Sequence, residues 1–257
     1  MVLSQLLTLV FAGVGLYLLG TGLRQLRPVY HILRNDPVPV RSLSGHSGPV
    51  EIQGTAVTGD DGTVTAPFTG SECLAYTYEV EELRSSGKNS HWETLDSGQA
   101  GVDFVVDDGT DRVRVDPTGA DVHFEAHSVT VAPGTELPDR LARYVESTDS
   151  VEAQDRTVHL LVTELHVGNK QRFTERRLDV GEQVYVYGEA RRGPAPEWGS
   201  NLVDAVVGAG DVTPAFVISD TSERGTAWRI ARESLVRLVL GAVFTAVVLV
   251  FLLSVFG

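Results

Sequence analysis

The stretch GSECLAYTYEVEE, residues 70–82, decides the fold class because its apolar and polar residues alternate. Alternation with a period of two places successive side chains on opposite faces of a β-strand. One face carries the larger apolar side chains, Leu74, Tyr76, Tyr78 and Val80. The other face carries smaller or polar side chains, Cys73, Ala75, Thr77 and Glu79. The stretch is therefore predicted to be a strand that packs its apolar face on a core.

Cys73 is the only cysteine of the 257 residues, and its role bears on whether the protein is an enzyme. It is either a catalytic nucleophile or a small residue at the start of the strand. A reactive thiol needs a nearby cation or imidazole, whereas the neighbouring Glu72 carboxylate raises a thiol pKa. The sequence therefore favours a buried strand residue, and it offers no catalytic candidate other than Cys73.

The chain on both sides of this stretch has the composition of an all-β domain. Strands are predicted from alternation and from Asp-Gly turns at 50–57, 63–68, 73–83, 101–108, 111–117, 121–124, 157–167, 171–180, 181–190 and 214–220. Leu137, Leu141 and Val145 recur at every fourth position, which predicts one short amphipathic helix over residues 137–147. The predicted fold class is mainly β, with a barrel-like domain over residues 47–222.

Two of the predicted strands share a weak repeat. VEIQGTA at 50–56 and VYVYGEA at 184–190 both follow the pattern V-x-[I/V]-x-G-x-A. In each, apolar residues alternate up to a glycine that allows a bulge or a close backbone approach. The repeat is either a chance match or a duplication. A duplication predicts two small barrel-like modules, 47–125 and 155–220, joined by the helix.

Two apolar runs without charged side chains flank the β-rich region, residues 1–23 and 238–256. Each is long enough, at about 1.5 Å per residue, to cross a hydrocarbon core of roughly 30 Å. A cleaved signal peptide is the alternative for the first run, but its basic residues follow the run instead of preceding it. Basic juxtamembrane segments at 24–46 and 223–237 lie on the side of the central region. The positive-inside rule therefore predicts a multi-pass cell-membrane protein with a cytoplasmic central domain and both termini outside.

The charge balance is strongly acidic, with a formal net charge of −13 at pH 7. Only two of the 21 basic residues are lysines, Lys88 and Lys170. An acidic surface repels phosphate backbones, so nucleic acid is not an expected partner. An acidic, lysine-poor surface is also expected of a halophilic protein, because molar salt screens charges over about 3 Å. The single cysteine excludes an internal disulfide framework and a cysteine-rich zinc module.

Other candidate sites are sparse. His123 and His127 are the candidates for a metal site, but their segment is predicted to end a strand, where the spacing does not match a helical zinc motif. Trp198 lies in a Pro- and Gly-rich loop, where it either contacts a partner or lipid headgroups or folds back onto the domain. No phosphate-binding or dinucleotide motif is present, and no cofactor is expected.

The stretch around Cys73 also carries a family resemblance. Residues 65–82 have the form T-x-P-F-T-G-x-x-C-L-A-Y-x-Y-E-V-E-E, and further matches occur at 102–122, 175–190 and 216–220. The chain resembles the GIDE domain, also called the BAM (beside-a-membrane) domain, of membrane-anchored RING ubiquitin ligases of the MULAN/MAPL type and of their archaeal and bacterial relatives. The residues that carry the resemblance are Phe68, Gly70, Cys73, Tyr76, Tyr78, Glu79, Asp108, Gly109, Asp116, Gly181 and Gly188.

The resemblance implies a role in ubiquitin transfer, but the ligases of this family perform the transfer with a RING module that follows the second span. A RING holds two zinc ions with eight Cys or His ligands, which a chain with one cysteine is not expected to supply. The sequence therefore predicts a non-catalytic, membrane-anchored binding or scaffold protein that recruits an unidentified protein partner at the cytoplasmic membrane face. Two alternatives stay open: a ubiquitin-type E3 transferase, as the family implies, and an accessory subunit of a membrane protease.

Overall fold

The computed structural model of the protein describes most of the central region and short parts of both ends. The described residues are 13–21, 37–86, 89–148, 151, 157–160, 163–166, 168–195, 199–213, 215–220, 239–243 and 245–246. The chain divides into two compact units, one formed by Pro39–Asp220 and the other by Met1–Val38 together with Thr221–Gly257.

The central unit is mainly β, as predicted. Its strands are β1 (Gly48–Thr58), β2 (Val64–Thr65), β3 (Glu72–Cys73), β4 (Ala75–Ser86), β5 (Asn89–Gly101), β6 (Phe104–Asp107), β7 (Arg112–Val115), β8 (Asp121–His123), β9 (Ala126–Val131), β10 (Thr157–Leu160), β11 (Thr163–His166), β12 (Gln171–Leu178), β13 (Gln183–Arg192), β14 (Leu202–Gly208) and β15 (Val217–Ser219). One α-helix, α1 (Asp139–Ser147), and one 3-10 helix, Val40–Leu43, complete the elements described in this unit.

Five of these strands close a barrel. They follow the order β1-β6-β7-β14-β13, and β13 pairs back to β1. Neighbours are antiparallel except β7 and β14, which are parallel. Numbered along the chain, this order is 1-2-3-5-4, the order of the five-stranded OB-type barrel. Every second side chain of β1 points into the barrel, where Val50, Ile52 and Ala56 pack with Phe104 and Val186.

The long connections between barrel strands form a second sheet, in the order β5-β4-β12-β9. Strands β4 and β5 belong to the connection between the first two barrel strands, and β9 and β12 to the connection between the third and the fourth. Helix α1 buries Leu141 and Val145 against this sheet, in a cluster with Val80 and Phe173. The unit thus has two apolar cores, one inside the barrel and one between the helix and the second sheet.

Two glycines lie where barrel strands change partners. Strand β1 pairs with β13 along its first part and with β6 along its last part, and Gly54 lies at the change. A Cβ atom on Gly54 would lie 2.5 Å from the backbone oxygen of Asp107. Strand β13 passes from β15 to β14 at Gly188, where a Cβ would lie 2.9 Å from the Phe216 ring. The close backbone approach predicted at these glycines is confirmed, because no larger residue fits there.

The weak repeat does not correspond to two modules, so the predicted division into 47–125 and 155–220 is corrected. The two motif strands, β1 and β13, pair with each other, and β4 pairs with β12, so each half supplies only part of either sheet. Because the pair is antiparallel, the glycine of each motif lies opposite the first valine of the other. The opposed pairs are Val50 with Gly188, Ile52 with Val186, and Gly54 with Val184.

Several element boundaries differ from the predicted ones. Strands β5, β9 and β14 were not predicted; β5 and β9 have mostly exposed side chains and lack a clear apolar period, whereas β14 does alternate. The strand predicted over 157–167 is instead the hairpin of β10 and β11. Helix α1 begins two residues later than predicted, directly after Pro138, whose extended backbone is the N-cap.

The second unit contains short helical segments among its described residues, at 13–21, 239–243 and 245–246. Within the described parts of the chain, no helix is both long and apolar enough to cross a membrane. Four predicted segments lie partly or wholly outside the described residues: 1–23, 24–46, 223–237 and 238–256.

Candidate functional site

The PFTG loop, residues 67–70, is held by one buried carboxylate. Glu175 lies on β12 and is only 1% exposed. Its Oε2 accepts hydrogen bonds from the N–H groups of Phe68 at 2.8 Å and of Thr69 at 3.2 Å, and its Oε1 accepts one from Thr69 Oγ1 at 2.6 Å. Gly70 closes the loop with a φ of +75°, which favours glycine. The loop is thereby fixed to a strand 107 positions further along the chain.

Arg177 compensates the buried charge of Glu175. Its Nη1 donates to Glu175 Oε1 at 3.3 Å, and its Nε donates to Asp179 Oδ1 at 2.8 Å. Burial disfavours the charged guanidinium, but the Asp179 and Glu175 carboxylates outweigh burial and raise the pKa of Arg177. The three side chains therefore form an ion network that holds the loop, and Arg177 remains a cation.

An aromatic cluster lies next to the loop and joins helix α1 to the second sheet. The Phe68 ring makes edge-to-face contacts with Tyr78, Tyr144 and Phe173, at centroid distances of 5.6, 5.0 and 5.6 Å. The Tyr144 hydroxyl donates to the Asp96 carboxylate, and the Tyr78 hydroxyl lies 3.5 Å from the same carboxylate. Burial and the bond to Asp96 raise the pKa of Tyr144. Tyr144 is therefore a neutral donor that fixes the helix in place.

A cleft of about 440 Å³, called here the α1 cleft, lies beside the helix at the end of β9. Part of its lining is apolar and comes from Val131, Leu137, Ala142 and Val145. Another part is acidic and consists of three exposed residues, Glu136, Asp139 and Glu146. Apolar walls with a few charged groups suit an apolar side chain that has a basic neighbour.

Strand β9 is an edge strand within the described residues. It pairs with β12 along one side, and no other described strand pairs with it. Five of its six residues are exposed, and Val129 is 49% exposed. An edge strand presents backbone N–H and C=O groups that can pair with an added strand. Because β9 ends at Val131, a strand added to it would reach the α1 cleft.

Cys73 lies in the interior of the central unit. It is 0% exposed, and its Sγ lies 3.5 Å from the backbone oxygen of Val64. Burial, and after it the Asp179 and Glu175 carboxylates, together raise the pKa of the Cys73 thiol to about 12. Arg177 acts in the opposite direction without offsetting these effects. The thiol is thus protonated and inaccessible at neutral pH, which is unsuited to nucleophilic catalysis.

The Cys73 thiol is expected to resist labelling. With a pKa of about 12 its thiolate fraction at pH 8 is about 10³-fold below that of an ordinary cysteine, and burial slows access further. A maleimide added to the folded chain should label Ser90→Cys on exposed β5 within minutes and leave Cys73 unlabelled until denaturant is added. Equal labelling rates for the two thiols would contradict the buried assignment.

The other family-motif residues on β4, Tyr76 and Glu79, make no hydrogen bond to the PFTG loop among the contacts described above. Tyr76 is half-buried and lines a smaller cleft of about 210 Å³ together with Pro117 and Thr118. Burial raises the pKa of Tyr76. Glu79 accepts a hydrogen bond from Thr94 Oγ1 at 2.9 Å across the β4–β5 pair. These contacts stabilise the sheet, and they add no group to the α1 cleft.

The remaining motif residues shape turns of the barrel. Asp108 accepts hydrogen bonds from the N–H of Val40 and of Thr110, both at 2.8 Å, and so ties the 3-10 helix to the β6–β7 turn. Burial opposes ionisation of Asp108, but these bonds outweigh it and hold its pKa below the ordinary value. Gly109 completes this turn, with a φ of +81°. The predicted hairpin turn at 107–110 is confirmed.

Asp116 and Gly181 have similar structural roles at two other turns. The Asp116 carboxylate accepts a hydrogen bond from Arg191 Nη2 at 2.9 Å and one from the N–H of Thr118 at 3.0 Å. Burial again opposes ionisation, and the bonds from Thr118 and Arg191 keep the Asp116 pKa below its ordinary value. Gly181 has a φ of +92° in the turn before β13.

The two candidate metal ligands belong to different sheets. His123 ends β8, beside the barrel, with its Nε2 3.3 Å from Asp121, whereas His127 lies on β9 of the second sheet. In the residues that the structure describes, no three His, Cys, Asp or Glu side chains are grouped to hold a metal ion. Trp198 lies outside the described residues, so its proposed partner contact stays a prediction.

A comparison with protein families gives one match. Residues 75–200 match the GIDE family, whose description is E3 ubiquitin ligase. The GIDE relationship is confirmed over this range. No curated protein and no solved structure gives a significant match to the chain.

The GIDE region contains β4 to β13, which include the whole second sheet and helix α1. It therefore includes Glu175, the aromatic residues Tyr78 and Tyr144, and the residues of the α1 cleft. It begins after Cys73 and after the PFTG loop, so the loop that Glu175 binds lies outside the matched range.

Sequence reasoning missed Glu175, Asp96 and Tyr144. A signal for Glu175 was present, since alternation along β12 places it on the same face as buried Phe173. An acid on an apolar strand face predicts a buried carboxylate with donors around it. Asp96 and Tyr144 had no comparable signal, because their contact depends on how α1 packs against β5.

Proposed function

We propose that the protein is a non-catalytic, membrane-anchored binding protein that recruits a protein partner at the cytoplasmic membrane face. The observation that carries this proposal is the meeting of the exposed β9 edge with the α1 cleft. The edge supplies backbone pairing for an extended segment, and the cleft supplies a pocket for one of its side chains. The two features together resemble the recognition sites of strand-adding binding domains.

The partner segment that fits is an extended one that carries an apolar and a basic side chain two positions apart. The apolar side chain would enter the lining formed by Leu137, Ala142 and Val145. The basic side chains would lie near Glu136, Asp139 and Glu146. The apolar and the basic side chain must be two positions apart, because side chains at positions i and i+2 of an added strand point to the same face.

Membrane anchoring is the second part of the proposal. Its support is the pair of uncharged apolar runs at 1–23 and 238–256 and the arginines that flank both on the side of the central unit. The lipid bilayer is then a partner, the central unit lies in the cytoplasm, and both termini lie outside the cell. The acidic, lysine-poor composition supports work at high salt.

A ubiquitin-type role is a second candidate, because the matched family is described as E3 ubiquitin ligase. A thiol relay would have to use Cys73, which is buried with a pKa of about 12. The arrangement supports recruitment of a conjugation component by the cleft better than transfer by this thiol.

Peptide binding tests the proposed site. The full chain in nanodiscs would be titrated with a fluorescent dodecapeptide that repeats Arg-Ser-Val-Ser, and with a matched dodecapeptide that repeats Glu-Ser-Val-Ser. We expect saturable binding of the basic peptide only. Ala142→Trp fills the cleft and should weaken binding by at least about tenfold, since a filled pocket loses the anchoring side chain.

The matched control is Ser90→Trp on β5, at the opposite edge of the same sheet, which should leave binding unchanged. Equal affinity for the two peptides would show that the acidic lining of the cleft does not discriminate between basic and acidic segments. Binding that survives Ala142→Trp would place the site elsewhere and overturn the proposal. Both variants should keep the circular dichroism spectrum of the parent chain.

A further inference from the structure

The helical segments of the second unit contact each other through glycine. Gly15 and Gly241 are both buried. A Cβ atom on Gly241 would lie 2.9 Å from the backbone nitrogen of Leu19 and 3.2 Å from the backbone oxygen of Gly15. Real Cβ atoms essentially never approach other atoms to less than 3.0 Å. The backbone at residue 241 can therefore lie this close to the backbone of residues 15–19 only because residue 241 is a glycine.

Six large apolar side chains of the same segments are exposed, whereas the Leu19 side chain lies at the contact. Val14, Leu16, Tyr17, Val239, Leu240 and Val243 are between 41% and 70% exposed. A helix pair in water buries its large apolar side chains and exposes polar ones, because apolar exposure costs about 25 cal/mol per Å². The arrangement here is the inverse, with Gly15 and Gly241 buried and most of the large apolar side chains exposed.

Two threonine hydroxyls of these segments are satisfied by the backbone of their own segment. Thr21 Oγ1 donates to the backbone oxygen of Tyr17 at 3.0 Å, and Thr245 Oγ1 donates to that of Gly241 at 2.8 Å. Hydroxyl groups bonded to their own helix are what a hydrocarbon environment requires. Close backbone contact through small residues is also how helices associate in lipid, where no hydrophobic force drives them together.

We infer that the segments around Gly15 and Gly241 form a glycine-packed helix pair whose outer surface is covered by lipid acyl chains. The inference rests on the proposed membrane anchoring, and it identifies Gly241 as the residue that allows the two helices to contact each other. The pair brings the two apolar runs together at one place in the bilayer. Gly13 and Gly20 take no part in the contact, because a Cβ atom added to either would have no atom within 4 Å.

Distance measurements between the helices test the inference. Spin labels would be attached to Tyr17→Cys and Val243→Cys, both exposed positions, in the full chain with Cys73→Ala reconstituted in nanodiscs. A narrow, short distance distribution is expected. Gly241→Leu should broaden it and lengthen it by several ångströms, because the leucine meets backbone atoms of Leu19 and Gly15. Gly20→Leu, the matched control, should leave it unchanged.

Flotation of each variant with liposomes separates this inference from the membrane proposal. A chain that fails to float would overturn the anchoring and the helix pair together. A chain that floats but shows a broad distribution, or that tolerates Gly241→Leu without change, would overturn only the glycine contact. Gly241→Ala serves as a milder second variant and should give an intermediate shift.

Discussion

Replacing Glu175 with alanine is expected to lower the free energy of unfolding by about 3–5 kcal/mol. The change removes an acceptor from the N–H groups of Phe68 and Thr69 and from the Thr69 hydroxyl, and it leaves the charge of half-buried Arg177 less compensated. Breaking a buried ion pair by removing one partner costs about this much, because the other groups stay buried without partners. Denaturant unfolding of the full chain, followed by circular dichroism, measures the change.

The matched control for this prediction is Glu72→Ala. Glu72 is an exposed carboxylate that accepts two hydrogen bonds, from Thr63 and Thr65, whereas buried Glu175 accepts three from the loop and also pairs with Arg177. Water replaces those bonds, and the loss of stability should be much smaller. Similar losses for the two variants would mean that the PFTG loop is not held by the buried carboxylate. Glu175→Gln, which keeps an acceptor oxygen, should fall between the two.

Gly54→Ala is expected to destabilise the barrel by about 3 kcal/mol or to prevent folding. The added Cβ would lie 2.5 Å from the Asp107 oxygen and 2.8 Å from its carbonyl carbon, both backbone atoms. Backbone atoms of a closed barrel cannot yield without loss of strand pairing, so the cost lies at the upper end of that for overpacking. Thermal and denaturant unfolding of the purified variant measure the change.

Gly208→Ala is the comparison for Gly54→Ala, since it adds the same methyl group to another barrel strand. Its Cβ would have Asp116 O as nearest atom at 3.3 Å, which a small shift relieves. We expect a loss of less than about 1 kcal/mol. If both variants are equally stable, the change of partner strand at position 54 does not require a glycine.

The sequence predicts the faces of strands better than their partners. Alternation over 70–82 locates β4, and it places Tyr78 and Val80 on the face that the helix covers. It says nothing about β12 and β5, the two neighbours of β4, because pairing depends on closing long chain segments. Because the sequence does not show which strands pair, the repeat shared by β1 and β13 suggested two separate modules. In the structure these two strands form one antiparallel pair.

Ala75 shows where alternation misleads even about faces. The pattern places it opposite the apolar face of its strand, yet it is buried in the barrel core beside Leu74. Both residues lie where the second sheet joins the barrel, so both faces of the strand are covered at that point. An alternation of apolar and polar residues is expected only for a strand with one face on a core and the other in solvent. Where both faces of the strand are covered, as at Leu74 and Ala75, alternation does not predict which side chains are buried.

The candidate site was less predictable than the fold. Leu137 and Val145 were recognised as the apolar side of a helix, and both line the α1 cleft. The cleft also needs Val131 at the end of β9, an edge strand with mostly exposed side chains and no apolar period. A site at the meeting of two elements requires both to be located, and only one of them carried a sequence signal.

The interleaving of the two sheets determines the order in which the central unit can form. Strand β1 finds its partner β13 only after the 124 intervening residues, 59–182, have been made, and β14, which closes the barrel, follows later still. Long-range pairing of this kind makes folding slow, because loop closure costs entropy before contacts repay it. During synthesis the nascent chain must therefore carry β1, β6 and β7 as an open sheet, in which β1 lacks β13 and β7 lacks β14, until the last barrel strand has left the ribosome.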